Sequence, residues 1–120
     1  MPFKFEELRI WHLAISFATE IHILTQEFPK EERYVLVAQF KRAADSISMN
    51  ISEGSIGQSN AEQLRFLHYS IRSIAESVNC LYLSKEREYI SNEDFRTLYK
   101  KAELLFAMTY KFINSLKGNK

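Results

Sequence analysis

The stretch Gln39-Phe-Lys-Arg-Ala-Ala-Asp-Ser-Ile-Ser-Met-Asn-Ile-Ser-Glu-Gly54 predicts an amphipathic helix with two distinct ridges. Its apolar residues recur every three or four positions, so they share one face of an α-helix: Phe40, Ala44, Ile47 and Ile51. A second ridge at the same spacing is polar, and we interpret it as a structural hydrogen-bonded network: Gln39, Arg42, Ser46, Asn50 and Glu53. Gly54 is expected to cap the helix at its C-terminal end.

The same periodicity predicts three more helices around this stretch. The first covers residues 5–27, with an apolar stripe made of Leu8, Trp11, Ile15, Ala18, Ile21, Leu24 and Phe28. It ends before Pro29, because proline disfavours helical geometry in the preceding residue, and the second helix is expected to begin at Pro29 itself. The third begins at the capping box Ser59-Asn-Ala-Glu62, and the fourth begins after a second N-cap, Ser91.

Four helices with short connections predict an all-α protein in a single domain, residues 1–120. The expected architecture is an antiparallel up-down-up-down four-helix bundle, in which seams of alternating three- and four-residue spacing pack with a left-handed supercoil. With three glycines and two prolines, the chain has fewer turn residues than a sheet protein of this length needs.

Composition and charge limit where the protein is expected to be located and what it is expected to bind. With a formal net charge of +1, the molecule as a whole is not a polycation. The N-terminus lacks a signal-peptide core, and no apolar run reaches the roughly 20 residues of a membrane span. Cys80, the one cysteine, cannot form an internal disulfide and is expected to be a buried small hydrophobe. We therefore expect a cytoplasmic protein that contacts no membrane.

Aromatic residues beside the main seams of the third and fourth helices predict a second apolar interface. A four-helix monomer needs one apolar stripe per helix, so the additional rings indicate either wider burial or contact with another copy. We favour homo-oligomerisation because tyrosine suits subunit contacts. The candidate interface residues are Phe66, Tyr69, Tyr99, Phe106 and Tyr110.

Several segments, in a fixed order, carry a family resemblance: Phe28-Pro-Lys-Glu-Glu-Arg-Tyr34, Gln39-Phe-Lys-Arg-Ala-Ala44, Ser73-Ile-Ala-Glu76 and Glu88-Tyr-Ile-Ser-Asn-Glu-Asp-Phe95. In these segments the chain resembles the bacterial four-helix-bundle proteins of the 23S rRNA intervening-sequence (S23) type. The resemblance implies a ring-like homopentamer without enzymatic activity. It also implies a likeness in fold to an accessory protein of diversity-generating retroelements, which binds nucleic acid through a basic surface. Arg72 departs from the pattern, because glycine is usual there.

These features predict a non-enzymatic, homo-oligomeric scaffold or adaptor, with the pentamer as the assembly that the resemblance implies. The alternative is a nucleic-acid-binding accessory protein, for RNA or DNA, that acts through a basic patch repeated around the oligomer. Such contacts bind phosphates without reading sequence and weaken as salt rises. The candidate patch contains Lys41, Arg42, Arg65, His68 and Arg72.

Metal and catalytic sites find little support in the sequence. A di-iron bundle needs Glu-x-x-His pairs, but Arg9, Thr19 and Arg65 stand three residues before the histidines. We therefore predict no metal and no cofactor. A catalytic interpretation would use Glu53 as a base, whereas pairing with an arginine or capping of the nearby turn is the simpler role for that carboxylate.

Overall fold

Four α-helices make up most of the computed structural model, which describes residues 2–57 and 59–118. The helices are α1 (Arg9–Thr25), α2 (Leu36–Ser55), α3 (Asn60–Glu86) and α4 (Asn92–Gly118). Two short 3-10 turns, Lys4–Glu7 and Lys30–Glu32, precede α1 and α2. No strand occurs among the described residues, which confirms the all-α prediction.

Each helix packs against two neighbours. Helix α1 contacts α2 and α4, and α3 contacts the same two helices from the opposite corner. The described part of the chain measures 48 × 23 × 22 Å, which fits two long helices of about 40 Å, α3 and α4, with the shorter α1 and α2 beside them. The four-helix bundle is thereby confirmed, while the full up-down order and the left-handed supercoil stay predictions.

The core of the bundle draws large apolar side chains from all four helices. Full burial of such a side chain stabilises the folded chain by about 1.5–3 kcal/mol. The largest side chains that are almost fully buried are Phe17, Phe40, Ile21, Leu36, Ile47, Ile51, Leu67, Ile74, Leu81, Leu105 and Ile113.

The two predicted N-caps are confirmed. Ser59 Oγ accepts a hydrogen bond from the Glu62 backbone N–H at 3.2 Å, and α3 begins at the next residue. Ser91 Oγ accepts from the Asp94 backbone N–H at 3.0 Å at the start of α4. Each serine satisfies an N–H group that has no partner inside the helix.

The predicted start of the second helix at Pro29 is wrong. A single 3-10 turn follows Pro29, and Val35, at φ −117° and ψ −94°, separates that turn from α2. The turn is anchored to the connection between α3 and α4 instead. Glu32 Oε2 accepts from the Tyr89 hydroxyl at 2.8 Å and from the Arg87 guanidinium at 3.1 Å. The hydrogen bond to Glu32 raises the pKa of the Tyr89 hydroxyl.

Gly54 does not cap α2, contrary to the prediction. It is buried inside the last turn, where α2 passes close to α3. A Cβ atom at this position would lie 2.9 Å from Phe66 Cβ and 3.3 Å from the Gln63 carbonyl oxygen. The absence of a side chain is therefore required by the close approach of two helices.

The predicted apolar stripe of α1 is shifted around the helix. Ile15, assigned to the stripe, is 41% exposed, whereas Ile10, Ala14 and Phe17 are buried. An apolar residue can continue a three-and-four spacing on the edge of a helix, so the pattern alone did not locate the centre of the buried face.

Candidate functional site

The side of α3 that faces α2 is lined by small residues. Ser70 Oγ donates to the Ile47 carbonyl oxygen at 2.9 Å, and Ser73 Oγ donates to Ser46 Oγ at the same distance. Because these side chains are short, the two helix backbones approach closely while their polar atoms remain bonded. The buried ridge, which we call the serine ridge, consists of Ser70, Ser73, Ser77, Cys80 and Ser84.

The serine ridge was not predicted, although the regular spacing of its residues is visible in the sequence. Its members recur at intervals of three and four residues, as the larger apolar residues of α3 do. No serine of α3 was predicted to be buried, because serine is mostly an exposed residue. Cys80 behaves as expected, because it is fully buried and burial raises the pKa of its thiol to about 11.

The predicted polar ridge of α2 divides into two sets of contacts. Asn50 Nδ2 donates to the Ser46 carbonyl oxygen at 2.8 Å and to Ser46 Oγ at 3.0 Å. Arg42 instead reaches across to α3, where its Nη2 lies 2.9 Å from Glu76 Oε2.

The remaining two residues of that ridge differ in their surroundings. Gln39 Nε2 lies 3.5 Å from the Glu76 oxygen that accepts from Arg42. Glu53 is exposed, so the desolvated environment that a catalytic carboxylate requires is absent from this described residue. Glu76 is the ionic partner that the sequence did not identify.

Helices α3 and α4 together line an open apolar groove of about 370 Å³. Phe106 is 40% exposed beside it, and its ring centroid lies 5.0 Å from that of Tyr110. The imidazole of His68 in α3 also packs edge-on against Tyr110, with 6.3 Å between the ring centroids. The groove is lined by Ile74, Ala75, Val78, Tyr99, Ala102, Glu103 and Phe106.

The two remaining candidate interface residues lie on the α2 side of α3. Phe66 packs beside Gly54, and its ring centroid lies 5.6 Å from that of Tyr69. The Arg65 guanidinium covers both rings, at 4.8 and 5.8 Å from their centroids, and forms an ion pair with Glu62. The hydrogen bond to Glu62 raises the pKa of Arg65. The five predicted interface residues thus form two patches.

The five predicted nucleic-acid-binding residues do not form one continuous patch of unpaired charge. Arg42 and Arg65 each pair with a carboxylate, and His68 packs on Tyr110. Arg72 is exposed on α3. Lys41 lies on a different surface, in a groove of about 690 Å³ beside the Pro29 turn.

The groove that contains Lys41 is basic, and we call it the basic groove. Lys30, Arg33 and Lys41 contribute three cations to its lining, and Tyr34 contributes an aromatic ring. None of the described residues that line it is acidic. The sequence indicated only Lys41, because Lys30 and Arg33 are interspersed with Glu31 and Glu32 along the chain.

The histidines have partners other than metal ions. His12 Nε2 lies 2.6 Å from the Glu6 carbonyl oxygen, and His22 Nε2 lies 2.9 Å from Asp45 Oδ1. Within residues 2–57 and 59–118, no three His, Cys, Asp or Glu side chains converge as metal ligands would. In the same ranges, no helix has the length and apolarity to cross a membrane.

Comparison with known proteins identifies the family. The family model described as 23S rRNA-intervening sequence protein matches residues 6–111. The fold is similar to the crystal structure of a protein with unknown function from the S23 ribosomal protein family of Bacteroides thetaiotaomicron VPI-5482. The TM-score is 0.81 at 24% identity, and the match covers 88% of this chain and 95% of that chain. A search of curated proteins gave no match. The resemblance inferred from the sequence is confirmed: the chain belongs to the 23S rRNA-intervening sequence protein family.

Proposed function

We propose that this protein is a non-enzymatic scaffold that assembles from identical copies through the groove between α3 and α4. The observation that carries the proposal is the apolar lining of this groove together with the partly exposed rings of Phe106 and Tyr110. Half-exposed aromatic side chains are typical of the surfaces that proteins bury on association.

A second copy is the proposed occupant because the chain also carries an unlike aromatic patch, formed by Phe66 and Tyr69. Contact between two different surfaces of identical chains is heterologous, and a heterologous contact closes into a ring when the rotation between copies permits. A ring of five copies of the 14.1 kDa chain has a mass of about 70 kDa.

The absence of catalysis and the cytoplasmic location belong to the same proposal. Glu53, the carboxylate considered as a base, is exposed, and the thiol of Cys80 is buried with a raised pKa. Neither group has the environment of an activated catalytic residue. A buried, unpaired cysteine is also compatible with a reducing compartment.

Solution mass tests the assembly. We expect multi-angle light scattering to give about 70 kDa at micromolar protein, and the variant Ala75→Glu to give the mass of a monomer. Ala75 is exposed in the groove, so a carboxylate there is tolerated by the bundle but costly to bury between copies.

The matched control is Ala61→Glu, the same substitution at an exposed position on α3 outside the groove. This variant should keep the mass of the wild type. A monomeric wild type at micromolar concentration, or equal masses for wild type and Ala75→Glu, would contradict the proposed interface.

Binding of nucleic acid is the second candidate function. The observation that favours it is the basic groove, where Lys41 stands with Lys30 and Arg33 in a lining without acidic residues among those described. Clustered cations of this kind attract phosphate backbones through an interaction that depends on salt and not on base sequence.

A further inference from the structure

The basic groove has three cations and no carboxylate in its described lining, and two nearby carboxylates have partners elsewhere. Glu32, adjacent to Arg33 in sequence, accepts hydrogen bonds from Tyr89 and Arg87 in the connection between α3 and α4. Asp45, one helical turn after Lys41, pairs with His22. Two nearby acids, Glu32 and Asp45, thus have partners outside the groove, and no described residue that lines the groove is acidic, so its positive charges are uncompensated by its own lining.

Tyr34 supplies a second feature of the same groove. Its side chain is 83% exposed, the largest exposure among the large apolar and aromatic residues described. The interrupted backbone at Val35 separates this residue from α2, so the ring lies outside the helix that follows. The Arg33 guanidinium lies 6.0 Å from the ring centroid, so a cation and an aromatic face are presented side by side.

We propose that the basic groove binds single-stranded nucleic acid, with phosphates held by Lys30, Arg33 and Lys41 and one base stacked on Tyr34. Single-strand binding surfaces combine these two elements, cations for the backbone and aromatic rings for the bases. The volume of about 690 Å³ lies within the range of ligand sites in proteins. The proposal rests on the nucleic-acid function above and gives it a location.

A charge-removal experiment tests the contribution of the cations. The groove variant is the triple substitution Lys30→Ala, Arg33→Ala and Lys41→Ala. Its control removes the same charge from exposed positions of α4: Lys100→Ala, Lys111→Ala and Lys117→Ala. The probe is a fluorescein-labelled 12-nucleotide oligouridine, titrated by anisotropy at 50 and 200 mM salt.

We expect the wild type and the α4 control to bind the probe at 50 mM salt. If three phosphates are neutralised, affinity should fall roughly 20-fold between the two salt concentrations. The groove variant should bind at least ten times more weakly than the control at 50 mM salt and should lose most of its salt dependence.

Substitutions of Tyr34 test the stacking separately, because they leave the net charge unchanged. Tyr34→Leu should weaken oligouridine binding roughly 5- to 150-fold, the range that corresponds to loss of one stacked base. Tyr34→Phe keeps the ring and should bind as the wild type does. Circular dichroism shows whether each variant retains the helical fold, and an exposed residue such as Tyr34 should tolerate either change.

The possible failures are distinguishable. If the wild type does not bind oligouridine at 50 mM salt, both the groove and the nucleic-acid function are wrong. If the α4 control and the groove variant lose affinity equally, the protein binds nucleic acid but the basic groove is not the site. If Tyr34→Leu binds as tightly as the wild type, the stacking contact is overturned.

Discussion

Helix α3 meets its two neighbours through contacts of opposite character. Toward α2 it presents the buried serine ridge, and Ser70 and Ser73 donate hydrogen bonds across the interface. Toward α4 it presents Val78 and Ala75 to a groove where Phe106 remains 40% exposed. Short side chains allow two helix backbones to approach closely. Aromatic side chains keep neighbouring helices further apart and leave apolar surface exposed.

The comparison indicates that the two sides serve different purposes. The serine ridge on the α2 side is complete within one chain, because its small residues are buried and their hydroxyl groups have acceptors. The α4 side leaves apolar surface exposed, and we propose that another copy covers it. The stability of the single chain is therefore expected to depend on the serine ridge, and assembly on the groove together with the patch of Phe66 and Tyr69 that would contact it.

The largest effect on stability is expected when a leucine is introduced on each side of α3 in turn. Ser70→Leu places a large side chain where Oγ lies 2.9 Å from the Ile47 carbonyl oxygen, and overpacking there should lower the free energy of unfolding by about 2–3 kcal/mol. Ala75→Leu lies at the open groove and should change it by less than about 0.5 kcal/mol.

Urea denaturation of both variants, at one low protein concentration, measures this difference. Equal destabilisation by Ser70→Leu and Ala75→Leu would show that the two sides of α3 are packed alike, and the comparison would fail.

A smaller loss of stability is expected from a substitution at Gly54, where α2 passes close to α3. Gly54→Ala gains up to about 1 kcal/mol from helix propensity but brings a Cβ within 2.9 Å of Phe66 Cβ. Because that atom and the nearby Gln63 carbonyl oxygen cannot move freely, we expect a net loss of about 1 kcal/mol. Thermal unfolding followed by circular dichroism measures the change.

Gly118→Ala is the control for this substitution, since nothing lies within 4 Å of the Cβ that it adds. It should leave the melting temperature unchanged or raise it slightly. A rise for Gly54→Ala as large as that for Gly118→Ala would mean that the helices are not in close contact at Gly54.

The smallest change in stability is expected when the ion pair at the edge of the α2–α3 interface is removed. Arg42 and Glu76 lie 2.9 Å apart, but the arginine side chain is 67% exposed. Water screens such a pair, so Arg42→Ala should lower the free energy of unfolding by no more than about 0.5 kcal/mol. Urea denaturation should give the same free energy of unfolding for Arg42→Ala as for Arg72→Ala, within about 0.5 kcal/mol, at 0.5 M salt.

A loss above 1.5 kcal/mol for Arg42→Ala would instead show that charge, and not the close packing of small residues, holds α2 against α3. The packing of the serine ridge would then contribute less than the ion pair to holding the two helices together.

The sequence located the polar residues of α2 but not all of their partners. Asn50 and Ser46 contact each other because residues four apart are neighbours on a helix. Arg42 and Glu53 share the ridge but are eleven residues apart, which corresponds to about 16 Å along the helix axis. Arg42 therefore pairs with Glu76 of α3, a residue that no periodicity within α2 indicates.

By itself, the sequence determined the number of helices, the N-caps at Ser59 and Ser91, and the family. These features depend on neighbours within one helical turn, or on residue order along the chain, so they can be read before the chain folds. Only the tertiary structure decided that Gly54 serves a close contact and that Lys30, Arg33 and Lys41 share a groove. Contacts of that kind depend on the distance and rotation between segments, which residue spacing within a single helix does not define.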